Sequence, residues 1–266
     1  MSFEPRGKVA VVTGASSGIG AATAARLARL GMTVVAVARR EDRLHELAAA
    51  HPGIRPYVAD ITDQAAVDRL AAWVETQFGA CHVLVNNAGV PGRSFRGRDD
   101  LDDTLHTIEV NLAGPIRCMA AFASLLEASA PARVVNVASV AGKLGVGPAG
   151  YAASKFGLVG LSEATGLSWA RKGITVCELN PGFIHTEGFP KDSLRASRLG
   201  RLVGTPDDVA RAVHDVILSG APERTVPRWY RIPVVLRHAA TPVYRSLVSR
   251  MGRASGARDR DRDRDR

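Results

Sequence analysis

Lys8-Val9-Ala10-Val11-Val12-Thr13 runs directly into Gly14-Ala15-Ser16-Ser17-Gly18-Ile19-Gly20, and the chain continues through the alanine- and leucine-rich stretch 21–30. The first six residues are a short apolar run of the kind that forms a strand buried on both faces. The alanine and leucine that follow the glycines favour a helix. Strand, glycine-rich turn and helix together make a phosphate-binding context. Gly14 allows the tight turn. Gly18 and Gly20 would let the backbone approach a pyrophosphate at the positive end of the helix. The spacing is Gly-x-x-x-Gly-x-Gly and departs from the common Gly-x-Gly-x-x-Gly fingerprint. On the glycines alone, a plain tight turn remains open. The strand and the helix on either side favour a dinucleotide.

The same rhythm repeats outward. Residues 33–38 (Thr-Val-Val-Ala-Val-Ala) read as a second strand, 41–50 as a helix, and 54–59 as a third strand. Further strands are expected at 83–85, 133–138 and 173–179, with a short last one at Thr225-Val226, and helices lie between them. Strands alternating with helices specify an α/β protein with a doubly wound parallel sheet, whose ligands lie at the carboxyl ends of the strands. The second strand ends in Ala38-Arg39-Arg40. A cofactor with free ribose hydroxyls usually meets a carboxylate there. Two guanidiniums instead suit a 2′-phosphate, Arg39 more than Arg40. The alternative is a solvated arginine pair opening a helix. Asp60, at the end of the third strand, could accept from an adenine amino group or cap the next helix, a task shared with Thr62 and Asp63. Asn86-Asn87-Ala88-Gly89 ends the fourth strand. Asparagines there would satisfy backbone groups of neighbouring strands, and Ala88-Gly89 leaves room for a flat ring. Asn111 lies among Ile108, Val110 and Leu112, near the bend residues Gly114 and Pro115. It reads either as a satisfied buried amide or as a functional group.

The chemistry centres on 139–155. Ser139 follows an apolar strand, a glycine-rich loop comes after it, and Tyr151-Ala152-Ala153-Ser154-Lys155 opens a long helix. Positions four apart project from one face, one turn apart. A lysine beside a tyrosine favours the phenolate and lowers the tyrosine pKa. Ser139 brought close supplies a second hydroxyl. Donor, acid/base and tuning charge then suit a carbonyl oxygen that gains or loses a proton. An ordinary amphipathic pair is the alternative when the spacing is taken alone.

Composition bounds the rest. The 266 residues are 46% hydrophobic and 23% charged, enough for one large domain. Cys81, Cys118 and Cys177 are widely spaced and odd in number. They imply reduced thiols and a cytoplasmic setting, with no metal site. No apolar run reaches membrane-spanning length, and 1–8 carry no signal region. From Arg224 onward twelve arginines face four aspartates, so most of the net charge of +9 lies there and the body is nearly neutral. A core that binds nucleic acid is therefore excluded. Residues 241–251 repeat Tyr244, Leu247, Val248 and Met251 at helical spacing, so an amphipathic helix is expected. It could pack on its own subunit, on a neighbour, or on an anionic membrane surface. The Arg-Asp repeat that closes the chain has no apolar face and should be disordered.

Taken together, these residues resemble the short-chain dehydrogenase/reductase family in its single-domain, NADP(H)-preferring form. The match spans roughly 8–226 and is carried by Thr13-Gly14-x-x-x-Gly18-x-Gly20, Asn86-Asn87-Ala88-Gly89, Asn111, Ser139, Tyr151-x-x-x-Lys155 and Pro181-Gly182. The resemblance implies a Rossmann fold and an oxidoreductase that moves a hydride between a nicotinamide cofactor and a carbonyl or secondary alcohol. Tyr151 would be the acid/base and Ser139 would hold the substrate oxygen. Lys155 would bind the nicotinamide ribose, and Asn111 would hold a proton-relaying water. Ile184 and Thr186 would meet the carboxamide, and Asp60 and Ile61 would flank the adenine. NADP(H) is expected over NAD(H). A homodimer or homotetramer is expected, partly from apolar Leu158, Leu161 and Trp169 on the long helix. The expected layout is a catalytic domain over 1–226 with a lid at 183–204, an amphipathic extension over 227–252, and a tail over 253–266. A non-catalytic NADPH-binding protein, or a membrane-surface reductase of lipid-like substrates, is the alternative.

Overall fold

The structure is a computed structural model that describes residues 3–188 and 203–246. Most of the expected lid, with Phe189, Leu194 and Leu199, lies outside these residues. So do the second half of the expected helix over 241–251 and the Arg-Asp tail; residues 241–246 are helical.

Seven parallel strands form one sheet in the order β3-β2-β1-β4-β5-β6-β7. They are β1 (Val9–Thr13), β2 (Thr33–Ala38), β3 (Ile54–Val58), β4 (Val83–Asn86), β5 (Ala132–Val137), β6 (Ile174–Pro181) and β7 (Glu223–Val226). The helices are α1 (Gly18–Arg29), α2 (Glu41–Ala50), α3 (Gln64–Phe78), α4 (Leu101–Ile108), α5 (Gly114–Ala128), α6 (Ala141–Leu144), α7 (Ala149–Trp169), α8 (Pro206–Ser219) and α9 (Arg231–Ala239). This is the single-domain Rossmann fold that the alternating strands and helices predict. Residues as far as Pro227 form one compact unit and Arg228 begins another.

Successive strand residues point to opposite faces. In β1, Ala10 and Val12 join Leu27 of α1, Leu44 of α2 and Val213 of α8 on one side. Val9 and Val11 join Val67 of α3 and Phe122 of α5 on the other. Both faces are covered, which explains why the strands read as near-continuous valine runs. Asp63 caps α3 by accepting from the Ala65 N–H, and Gly79, at φ 65°, ends it. Thr205 and Asp208 form a reciprocal capping box on α8. The strand order reverses between β1 and β4, and that crevice is where a doubly wound sheet takes its ligand.

Three expectations change. Between α4 and α5 the chain makes a π-helical turn at Glu109–Ala113, so the irregularity falls on Asn111 itself and precedes Gly114 and Pro115. The stretch after Ser139, read as a loop, contains the short helix α6. Leu158 is buried, and Leu161 and Trp169 pack against the core of their own chain. Leu158 thus adds no outward surface and the other two keep only part of theirs; the most exposed apolar side chain on α7 is Leu167, at 82%.

Candidate active site

The turn after β1 is built by close backbone approach. Gly14 has φ 67°, and a Cβ there would stand 2.7 Å from the Ala88 Cα. Gly18 has φ 55° and faces Thr186. A Cβ on Gly20 would meet the Gly14 carbonyl oxygen at 2.2 Å. Gly20 therefore packs the helix against the turn and does not line the cleft, contrary to the expectation that it meets a pyrophosphate. Thr13 splices β1 to β4: its Oγ1 accepts from the N–H groups of Asn87 and Ala88 at 3.0 and 3.1 Å. Asn87 returns the link, its Nδ2 donating to the Thr13 carbonyl at 2.9 Å. Asn86 donates to Asn136 on β5 at 2.8 Å. The two asparagines thus join neighbouring strands: Asn87 satisfies a backbone group as expected, whereas Asn86 pairs with a side chain.

A cavity of about 750 Å³ opens over these strand ends. Among the expected cofactor residues, Gly14, Ser16, Ser17, Gly18 and Ile19 line its floor. Arg39, Arg40, Asp60 and Ile61 line one end. Asn87, Ala88 and Gly89 lie in the middle, and Pro181, Gly182, Ile184 and Thr186 close the other side, with Ser139, Tyr151 and Lys155. The residues present fit a nicotinamide dinucleotide. The turn exposes glycine backbone at positive φ where a pyrophosphate would lie, and Gly89 keeps the floor flat beneath a ring. A Cβ on Gly89 would stand 3.1 Å from Asn111 Oδ1 and 3.7 Å from Lys155 Nζ.

The two arginines divide in a way the sequence did not indicate. Arg39 pairs with Asp60 at 3.6 Å. Burial disfavours the Asp60 carboxylate, but hydrogen bonds from Thr62 and the Arg39 charge outweigh it and hold the pKa below the usual range. Arg40 reaches over the glycine turn. Its guanidinium donates to Ser17 Oγ at 2.6 Å, to Ser16 Oγ at 3.0 Å, and to the Glu187 carboxylate at 2.9 Å.

The reacting groups converge from β5 and α7. Ser139 hydrogen-bonds the Tyr151 phenol, and its Oγ accepts from the Ala141 N–H at 3.1 Å. Lys155 Nζ lies 5.8 Å from the Tyr151 ring centre and donates to the Val137 carbonyl at 2.8 Å. Burial lowers the Lys155 pKa to about 8. The expected lowering at Tyr151 does not appear: burial raises its pKa and the Ser139 hydrogen bond opposes the rise. Desolvation sets the direction because the phenolate would be formed in a buried site. Asn111 is fully buried and does not line the cavity. Its carboxamide accepts from the Val90 N–H at 2.8 Å and donates to the Val90 carbonyl and Ser154 Oγ at 2.9 and 3.2 Å. The satisfied-amide reading therefore describes it as it stands, directly behind Gly89.

Sequence reasoning missed α6 and its anchor. A Cβ on Gly142 would stand 2.6 Å from the Lys155 carbonyl oxygen, so α6 is pressed onto α7 at the lysine. Lys143 holds α6 there through Glu178 of β6 at 3.0 Å. The one available signal was Glu178 itself, a charge inside the apolar run Val176-Cys177-Glu178-Leu179.

Comparison with known proteins decides the family. The family model described as short chain dehydrogenase matches residues 8–195. The chain belongs to the short-chain dehydrogenase/reductase family. It is 36% identical over 223 residues to D-threitol dehydrogenase of Mycolicibacterium smegmatis, covering 79% of this chain and 85% of that protein. Its fold is similar to a family member from Burkholderia phymatum solved with NAD, at a TM-score of 0.80 and 30% identity, over 91% of this chain and 96% of that one. It is also similar to a variant of actinorhodin polyketide ketoreductase solved with NADPH, at a TM-score of 0.74 and 32% identity, over 85% and 97% of the two chains. This short-chain dehydrogenase/reductase is thus an oxidoreductase whose family binds a nicotinamide cofactor. Among the described residues no His, Cys, Asp or Glu cluster suits a metal ion, and no helix is long and apolar enough to cross a membrane.

Proposed function

We propose that this short-chain dehydrogenase/reductase is an NADP(H)-preferring, cytoplasmic enzyme acting on a carbonyl and its secondary alcohol. Tyr151 is the general acid/base. The observation that carries the reading is the convergence of the Ser139 hydroxyl, the Tyr151 phenol and the Lys155 ammonium at one end of the cavity. The cofactor, when bound, supplies or accepts the hydride. The chain supplies the rest. Ser139 orients the substrate oxygen. Tyr151, kept protonated by burial, gives its proton to that oxygen. Lys155, charged below about pH 8, reduces the cost of the phenolate left behind. Asn111 fixes the backbone at Val90, next to Gly89, and keeps the proposed role of holding a relay water beside Lys155. Ile184 and Thr186 would meet the carboxamide, and Asp60 and Ile61 the adenine.

The cofactor preference is supported by Arg39 and Arg40 at the cavity end and by Ala38 where a carboxylate would otherwise stand. Ala38→Asp with Arg39→Leu adds repulsion and removes a charge, so it should reverse the preference. Steady-state kinetics with NADPH and NADH over a panel of ketones and alcohols tests both claims. Equal efficiency of the wild type with both cofactors would end the preference. A homodimer or homotetramer is the proposed assembly; light scattering at micromolar concentration tests it.

A second reading gives 227–252 a use at an anionic membrane surface. The sequence holds no acidic residue from Thr225 to Arg258, and on α9 Ile232 and Val235 are 72% and 61% exposed. Sedimentation with anionic and neutral vesicles distinguishes it from packing within the protein. The tail over 253–266 should be dispensable in either case, and deleting Arg258 to Arg266 should leave kinetics unchanged.

A further inference from the structure

We propose that Glu187 is a specificity-determining residue, a carboxylate that competes with an incoming phosphate for Arg40. The inference rests on the NADP(H) reading above and adds a residue to it. The Arg40 guanidinium makes four hydrogen bonds. Two go to the Ser16 hydroxyl and one to the Ser17 hydroxyl of the glycine turn, and the fourth goes to Glu187 Oε1, at 2.9 Å. Ser16, Ser17 and Arg40 all line the cavity. Two hydroxyls and a guanidinium facing one space are donors suited to a phosphate monoester. In this structure the anion on that guanidinium is the Glu187 carboxylate. Both partners are substantially exposed, with side chains 43% and 58% accessible, so the pair is weak and exchangeable. Arg39 is differently placed: its ion pair is with Asp60, beyond the turn hydroxyls.

A 2′-phosphate that engages Arg40 must displace Glu187 or lie beside it. Either way the carboxylate opposes the phosphate, whereas a ribose hydroxyl carries no charge for it to repel. Glu187 therefore lowers affinity for the phosphorylated cofactor selectively. By linkage, a phosphate on Arg40 weakens the pair with Glu187 by the same factor by which Glu187 weakens phosphate binding.

Titration calorimetry with two cofactor fragments tests this without turnover: adenosine 2′,5′-diphosphate, which carries the phosphate, and adenosine 5′-diphosphate, which lacks it. Glu187→Gln keeps shape and removes charge. It should bind the 2′,5′-diphosphate about two- to fivefold tighter, the scale of an exposed charge pair, and leave the 5′-diphosphate unchanged. Arg40→Gln should abolish that gain when combined with Glu187→Gln, since the effect acts through the guanidinium. The inference is overturned if Glu187→Gln moves neither fragment, moves both alike, or keeps its gain without Arg40. The NADP(H) reading fails on a different result, a wild type that does not prefer the 2′,5′-diphosphate. A preference that appears only in Glu187→Gln would support the role of Glu187 and overturn that reading.

Discussion

The Lys143 ammonium lies 3.0 Å from the Glu178 carboxylate, and both side chains are largely out of solvent, at 11% and 3% accessible. Asn180 donates to the same carboxylate oxygen. Burial raises the Glu178 pKa, while Asn180 and Lys143 act against the rise. Lys143→Met would leave a buried carboxylate without its cation. Breaking such a pair costs about 3–5 kcal/mol, whereas replacing both partners by apolar residues is often near neutral. Thermal unfolding should show a large loss for Lys143→Met and recovery in Lys143→Met/Glu178→Met. The sign with pH follows from the raised carboxylate: the folded state binds the extra proton, so stability is present at low pH and lost as pH rises through the folded pKa. The single variant should therefore lie nearer wild type at pH 5 than at pH 8. An unchanged melting temperature would remove the pair from the stability of α6.

Tyr151→Phe removes the phenolic proton and leaves the glycine turn and both arginines intact. Turnover should fall by about 10²–10⁴-fold, the range of general acid catalysis. Affinity for NADPH, followed by fluorescence titration, should stay near wild type. Near-normal turnover would exclude Tyr151 from proton transfer.

Lys155 is charged below about pH 8 and neutral above it. Its charge favours the phenolate that forms when Tyr151 gives up its proton. In the direction of carbonyl reduction, kcat/KM should therefore fall as pH rises through about 8, because this ratio reports groups of the free enzyme. A flat profile from pH 7 to pH 9 would contradict the assignment.

Gly20→Ala places a methyl 2.2 Å from the Gly14 carbonyl oxygen, so the turn must move. Such overpacking costs about 1–3 kcal/mol. Melting temperature and cofactor affinity should drop together, since one backbone shift disturbs both. Gly79→Ala offers a contrast: a Cβ there meets nothing within 4 Å, and only the left-handed φ of 65° opposes it. It should lower stability without weakening cofactor binding.

Much of this was legible from local pattern. Valine runs marked the buried strands, and Gly14, Asn87 and Tyr151 sit where their spacing predicted, because each answers to its immediate neighbours. Contacts between distant segments were not legible. Nothing near Arg40 announces Glu187, 147 residues away. Lys143 looks like a loop cation until Glu178 is placed beneath it. Leu158, Leu161 and Trp169 read as an outer face, because apolar spacing on a helix does not say whether the covering surface belongs to the same chain. At Tyr151 the nearby lysine was visible and the desolvation was not.

The π-helical turn at Glu109–Ala113 carries an odd consequence for length variation. An α-helix advances about 100° per residue. Removing one residue from this turn would let the segment relax to ordinary α geometry, so the deletion would mend a helix where deletions usually damage one. The mended helix would be the functional loss. The helices on either side would keep their phase, because a π-turn holds its extra residue as a bulge, so the loss would fall on the turn itself, where Asn111 would leave the position from which it meets both Val90 and Ser154. Homologues should therefore vary in the length of the loop before α4 and hold the spacing between Asn111 and α5 fixed.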